Sequence, residues 1–213
     1  YFNDSRGNIH VFTSLSFDFT LTSYLGGISF GYTLVLEDEE ISVYENLKNS
    51  ILDNASNLVK VTPSHISLIE EDWLNQSNPK LFIVGGEALK NSQINKILNN
   101  SKHQLINEYG PTEATVGCLT SKISLNGLPF IGRPIDNMRA IILNDILEPV
   151  EYGIEGELFL FGVGLSEGYL NDSEKTHTSF VNIPFYDNIR AYKTNSYWHI
   201  IRVRSNCGMS RVT

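Results

Sequence analysis

Hydrophobic residues in the first half of the chain fall into two alternating patterns. Short runs rich in apolar or β-branched residues occur at 11–14, 32–36, 58–61, 81–84 and 104–106 and predict strands. Between them the spacing lengthens. Val43, Leu47 and Ile51 recur every four residues, and Ile66, Ile69 and Trp73 recur at three and four. Leu89, Ile94, Ile97 and Leu98 mark a further one-sided face, and all three sets predict helices. Ser64, just after Pro63, stands where a helix N-cap is expected. Repeated strand–helix units with strands apolar on both faces predict an α/β fold, a mostly parallel sheet with flanking helices. From about Pro129 the runs shorten, at 139–143, 157–161, 180–183 and 191–193, broken by Asn144-Asp145 and by Gly156, Gly162 and Gly164. This part predicts a small β-rich, barrel-like subdomain. The expected division is 1–128, 129–198 and a separate segment 199–213.

Charge sets the last segment apart. After Asp187 no acidic residue occurs, whereas Arg190, Lys193, Arg202, Arg204 and Arg211 do. The segment reads as an unrelated or frameshifted tail. The start, with neither Met nor a signal-peptide pattern, reads as the inside of something longer. Over the whole chain 24 acidic against 16 basic residues give a net charge of −8, which argues against a general nucleic-acid binder. No run approaches the roughly 18 apolar residues of a membrane span. Two distant cysteines, Cys118 and Cys207, fit a reducing, cytoplasmic setting better than a metal cluster. The acidic run Glu37-Asp38-Glu39-Glu40 reads as a solvated turn, Trp73 and Cys118 as core, and His65 as a packed or capping residue.

In open α/β sheets, ligands lie beyond the carboxyl ends of the strands. Three predicted strands end near Lys60, in Gly85-Gly86-Glu87-Ala88, and in Asn107-Glu108-Tyr109-Gly110-Pro111-Thr112-Glu113. The glycines permit close backbone approach to a flat ligand, and Tyr109 offers a ring face to a base. Thr112 can donate to a phosphate, and Glu113 can hold Mg2+, which takes oxygen ligands. The plainer alternative is a Gly-Pro turn with Thr112 and Glu113 opening a helix.

The stretch 107–113 resembles the Asn-x-Tyr-Gly-Pro-Thr-Glu motif of amino-acid adenylation domains of nonribosomal peptide synthetases, within the AMP-binding, adenylate-forming superfamily. Further segments are similar and in the same order: 12–18 (FTSLSFD), 61–64 (VTPS), 85–88 (GGEA), 130–134 (FIGRP) and 156–170 (GELFLFGVGLSEGYL). The resemblance runs from about residue 9 to 194 and implies a fragment of the large N-terminal domain of such a ligase. It implies ATP-dependent, Mg2+-assisted formation of an aminoacyl-adenylate. The acyl group would then be loaded onto phosphopantetheine of a carrier domain, with carrier and condensation domains of a multidomain synthetase as partners. It also implies that Tyr109 stacks on adenine opposite Gly86, with Glu87, Ala88 and Gly110 nearby. Asn107 would reach the adenine amino group, Thr112 the α-phosphate and Glu113 the Mg2+.

Carried over residue by residue, the family's specificity positions fall on Asp18, Phe19, Thr22, Lys60, Ile83, Gly85, Glu108, Val116 and Gly117. That set resembles the asparagine signature, departing at Phe19 and Ile83, where Leu is usual. The aspartate signature is close but has His in place of Glu108. Asp18 would meet the α-ammonium, Lys60 would donate to the amide oxygen, and Glu108 would accept from the amide N–H. Aspartate would instead set its carboxylate against Glu108. Alternatively Lys60 and Glu108 pair across neighbouring strands, which is compatible with the first reading while no substrate is bound. The family's Tyr-Lys-Thr-Gly-Asp motif appears as Tyr192-Lys193-Thr194-Asn195-Ser196, so Ser196 stands where the ribose-binding carboxylate is expected. The glycine-rich phosphate loop and the lysine-bearing C-terminal lid are missing from the match, so the chain alone is expected to be incomplete and inactive. The other readings are a non-catalytic remnant and a distant acyl- or aryl-acid ligase, against which Asp18 argues.

Overall fold

The computed structural model describes residues 2, 7–38, 40–100, 102–203 and 206–211, with the backbone alone beyond 200. Glu39 of the acidic run and Arg204, with the side chains of Arg202 and Arg211, lie outside the described residues. Two compact units divide the chain, Tyr1–Glu108 with Lys122–Pro129, and Tyr109–Ser121 with Phe130–Thr213.

In the first unit β1 (Asn8–Val11), α1 (Thr20–Ser29) and β2 (Thr33–Leu36) form a βαβ turn of chain with the two strands parallel. Gly27 lets α1 lie close to these strands, since a Cβ there would meet Leu34 at 2.6 Å and Ile9 at 3.3 Å. α2 (Val43–Leu52), β3 (Leu58–Val61), α3 (Pro63–Leu68), α4 (Glu71–Gln76), β4 (Leu81–Gly85), α5 (Asn91–Leu98) and β5 (Gln104–Tyr109) follow. β3, β4 and β5 are parallel neighbours in that order. Successive side chains on a strand point to opposite faces, and here both faces are apolar. Val59, Val61, Phe82, Val84 and Leu105 pack against helix residues such as Leu47, Ile51, Trp73 and Ile97. Leu58 and Ile83 pack against Ile9 and Tyr32 on the other side. The predicted α/β class therefore holds.

Three expectations are corrected. The N-cap of α3 is Thr62, whose hydroxyl accepts from the His65 N–H, because Pro63 takes the first helical position, where its missing N–H costs nothing. The stripe Ile66, Ile69, Trp73 is split, with Ile66 and Trp73 on two short helices and Ile69 in the extended link between them. Glu37 is not solvated: it pairs with His10 Nδ1, while Asp53 Oδ2 lies 2.9 Å from the other ring nitrogen and accepts from Asn8 at 2.8 Å.

The second unit begins with a 3-10 turn at Thr112–Ala114. β6 (Leu119–Ile123) straddles the division, and its first residues pair with β7 (Arg133–Pro134). β8 (Met138–Leu143), β9 (Glu155–Gly162), α6 (Ser173–Ser179), β10 (Phe180–Ile183), β11 (Ile189–Val203) and β12 (Asn206–Arg211) complete it. They build an antiparallel sheet in the order β10-β11-β9-β8, with β12 also on β11. β9 is buried on both sides: Leu158 and Leu160 meet Ile142 and Trp198, while Phe159 and Phe161 meet Ile183 and Ala191. The segment from 199 onward continues β11 and turns back as β12.

Lys80, 2% exposed, donates to the carbonyls of Asp53 (2.6 Å) and Ser56. Burial pulls its ammonium from 10.5 to about 8, with Lys102 adding to the effect and Asp53 opposing it. Between those two values the unfolded chain holds more protons than the folded one, so this group makes stability rise with pH. Urea unfolding from about pH 8 to about pH 10.5 should show a contribution of about 3 kcal/mol that Lys80→Met abolishes.

Candidate functional site

The register pairs Lys60 with Ile83, Ile83 with Ile106, and Gly85 with Glu108. Residues two apart share a face, so Lys60, Ile83, Gly85 and Glu108 all project from one side of β3-β4-β5. β3 and β5 are separated by β4, hence by about 10 Å. A lysine spans that gap, and Lys60 Nζ reaches Glu108 Oε2 at 2.7 Å with the two side chains 2% and 3% exposed. The pair is therefore not between neighbouring strands, as the sequence suggested. Gly85 keeps the intervening strand clear: a Cβ there would lie 2.7 Å from the Glu108 carbonyl oxygen and 3.4 Å from the Phe19 ring.

The turn before α1 supplies the other wall. The Lys60 ammonium sits 4.2 Å from the Phe19 ring centre, which stacks on Phe17 at 5.3 Å. Thr22, one turn into α1, donates to Glu108 Oε1 at 3.5 Å. Asp18 Oδ2 is buried and has no hydrogen-bond partner among the described residues. Burial pulls the Lys60 ammonium below its usual range, and the Glu108 and Asp18 carboxylates oppose that shift. Asp18, Phe19, Thr22, Lys60, Gly85 and Glu108 thus come together. Ile83 is fully buried beneath them, packed against Ile9, Tyr32 and Leu58.

Beyond β4, Gly86 takes φ +83 and, with Glu87 and Ala88, is exposed. Glu87 is already engaged: its Oε2 accepts from the Ser64 N–H at 3.1 Å and from the Ser64 hydroxyl. It ties the glycine loop to the start of α3. His65 is a capping residue, as expected. Its Nδ1 accepts from the Thr62 N–H, and burial holds its pKa below the usual imidazole value. Asn107 is buried on the opposite face of β5 from Glu108.

The second unit holds the remaining candidates. Gly110 is obligatory, since a Cβ would fall 2.4 Å from the Val116 carbonyl oxygen. The return of the chain places Thr115 at φ 62 and Val116 at φ 44, closed by a bond from the Gly117 N–H to the Thr115 carbonyl. For a β-branched residue that backbone is strained, a condition that concentrates at functional loops. Tyr109 presents its ring to Trp198 edge-on at 5.4 Å. Ser196 lies in the irregular stretch of β11, its hydroxyl donating to the Thr194 carbonyl at 3.4 Å. Thr112 is exposed and Glu113 half-buried.

Sequence reasoning missed two tyrosines here. Tyr169 donates its hydroxyl to Glu113 Oε1. Burial, the Tyr169 hydroxyl and the Glu113 charge hold the Tyr192 phenol far above its usual value. Tyr169 lies inside the family-like segment 156–170, but its spacing from Glu113 carries no periodic signal. Among the described residues no three His, Cys, Asp or Glu side chains cluster around a metal position. A single carboxylate suits Mg2+ that arrives on phosphates, because Mg2+ keeps waters and takes one or two protein oxygens.

Removing one partner of a buried ion pair strands the other. Lys60→Met should lower urea-unfolding stability by about 3 kcal/mol. The double change Lys60→Met with Glu108→Leu should return it to within about 1 kcal/mol of the parent or above.

Residues 2–170 match the family model described as AMP-binding enzyme. Bacitracin synthase 3 of Bacillus licheniformis is 32% identical over 201 residues, covering 91% of this chain and 3% of its own length. Thus the chain spans only a small part of such curated relatives. A solved NRPS protein containing adenylation and PCP domains superposes with TM-score 0.85 at 25% identity, over 98% of this chain and 43% of that one. The Klebsiella oxytoca NpsA N-terminal subdomain, solved in complex with 3-hydroxybenzoyl-AMSN, gives TM-score 0.85 at 20% identity, over 99% of this chain and 55% of that one, a likeness of fold. With the family model covering most of its length, the chain belongs to the AMP-binding enzyme family.

Proposed function

We propose that the chain contributes to ATP-dependent activation of an amino acid as its adenylate, and that the amino acid is asparagine. The observation that carries this reading is the buried pair Lys60 and Glu108 beside the half-buried Asp18, whose inward Oδ2 has no hydrogen bond among the described residues. A free α-ammonium supplies the missing donor to Asp18. The side-chain carboxamide then matches the ion pair end for end: its oxygen takes the Lys60 N–H, and its N–H2 gives to Glu108. Aspartate would bring a second carboxylate against Glu108 in a poorly hydrated space, which requires either repulsion or a bound proton. An acid without an α-amine would leave Asp18 unanswered, which disfavours an acyl- or aryl-acid substrate.

In this reading Thr112 donates to the α-phosphate and Glu113 holds Mg2+. When bound, the cation neutralises phosphate charge as the carboxylate of the amino acid attacks the α-phosphorus and pyrophosphate leaves. Tyr109 and Asn107 address the base, and Gly86, Glu87, Ala88 and Gly110 are the further nucleotide-binding candidates. The product would pass to phosphopantetheine on a carrier domain, and carrier and condensation domains of a synthetase are the proposed partners. No described helix is long and apolar enough to cross a membrane.

A second reading has its own observation. Ser196 spends its hydroxyl on a local carbonyl where the family places a ribose-binding carboxylate. That favours a chain which binds amino acid or nucleotide without turnover.

Amino-acid-dependent exchange of pyrophosphate into ATP separates the two readings, with calorimetric binding as the companion measurement. Asparagine should support exchange at least about ten-fold faster than aspartate, and equal rates would end the specificity proposal. Glu108→Gln should narrow that preference by about ten-fold, and Asp18→Ala should cost about a hundred-fold with asparagine. Binding of asparagine without exchange selects the second reading.

A further inference from the structure

Glu113 is gripped from an unexpected quarter. The loop between β9 and α6 runs alongside the 3-10 turn that carries it, and three bonds join them. The Ser166 N–H donates to the Glu113 carbonyl at 2.9 Å, the Thr115 hydroxyl donates to the Gly164 carbonyl, and the Tyr169 hydroxyl donates to Glu113 Oε1. Gly164 makes the approach possible, since a Cβ would stand 2.4 Å from Thr115 Oγ1.

The loop is itself held from behind. Arg190 forks its guanidinium onto the carbonyls of Ser166 (2.9 Å) and Glu167 (2.8 Å) while lying 4.2 Å from the Phe180 ring centre. The Tyr169 ring is covered by the Lys175 ammonium at 3.9 Å and meets Phe180 edge-on at 6.1 Å. Its backbone N–H donates to Thr176 Oγ1 at 2.9 Å. With ring and backbone both fixed, the phenol hydroxyl has little freedom, and it is aimed at one carboxylate oxygen.

We propose that Tyr169 is a positioning residue, whose hydroxyl fixes the Glu113 carboxylate so that it meets a divalent cation carried on a nucleotide's phosphates. The inference rests on the reading of Glu113 as the metal-holding carboxylate. A carboxylate on a short, half-exposed turn samples several rotamers, and only some direct an oxygen at a given point. Hydrogen bonds from Tyr169 and from the neighbouring Tyr192 phenol select among them, and a carboxylate's roughly four lone-pair sites leave room for the cation. Partners of metal ligands act in this way, and losing one typically weakens metal binding 10–100-fold.

The test uses Mn2+ as a spin probe, with ATP, on the full chain. Tyr169→Phe keeps the ring under Lys175 and against Phe180 and deletes only the hydroxyl. It should raise the ATP-dependent Mn2+ dissociation constant about ten-fold while leaving the melting temperature within about 2 °C of the parent and metal-free ATP binding unchanged. Glu113→Gln should weaken Mn2+ at least as much, and Tyr169→Phe on that background should add nothing. Arg190→Met loosens the same loop by another route and should weaken Mn2+ in the same direction. If Glu113→Gln weakens Mn2+ and neither Tyr169→Phe nor Arg190→Met does, the positioning role fails and the metal reading survives. If Tyr169→Phe weakens Mn2+ equally with and without Glu113→Gln, the hydroxyl acts elsewhere and the positioning role fails. If Glu113→Gln leaves Mn2+ unchanged, or the parent chain retains no Mn2+ with ATP, the metal reading fails and the inference with it.

Discussion

An ammonium buried on an apolar sheet face is tolerated only where carboxylates lie within reach, and much of the first unit is arranged around that requirement for Lys60. Desolvation disfavours its charge, and Glu108 and Asp18 oppose that loss. The arrangement needs a strand between the partners that carries no side chain at the crossing level, which is Gly85. It also needs Glu108 to be held on a strand and not in a loop, and β5 continues through Tyr109 to do so. The aromatic pair Phe17 and Phe19 then shields the ammonium from the α1 side. Charge, glycine and ring belong to one solution.

The second unit solves a different problem, that of placing a carboxylate on a turn too short to fix it. Gly110 and the left-handed residues Thr115 and Val116 bend the backbone tightly. Stiffness comes from outside, through the loop that Arg190 and Tyr169 anchor. Backbone strain sets the place and side-chain contacts from distant sequence set the direction.

The strands 58–61 and 180–183 were legible to the residue, because apolar runs between polar ends are a local signal. The helix α1 was not legible. Thr20, Thr22, Ser23, Gly26 and Gly27 are poor helix formers, and it forms because Gly27 lets it pack on β1 and β2. β5 and β11 proved longer than their apolar runs, since pairing extends a strand through polar residues such as Asn107 and His199. The carboxylates and lysine of the candidate site stood out by motif and by position at strand ends. The crossing of β4 did not, because strand order is a property of the whole sheet. Nor did the engagement of Glu87 by Ser64, which depends on a contact across 23 positions.

Ile83 shares a face with Lys60 and Glu108, yet its side chain is embedded among Ile9, Tyr32 and Leu58. In the proposed reading of the site, one residue serves as both the floor of a recognition surface and a keystone of the hydrophobic interior. Changing its volume to admit another substrate would open a void or crowd the interior, at a cost of roughly 1–3 kcal/mol. Thr22, half-buried on a helix that approaches from the side, is free of that double duty. Retargeting of this fold, whether by natural drift or by engineering, should accordingly begin on the helix and reach the strand last.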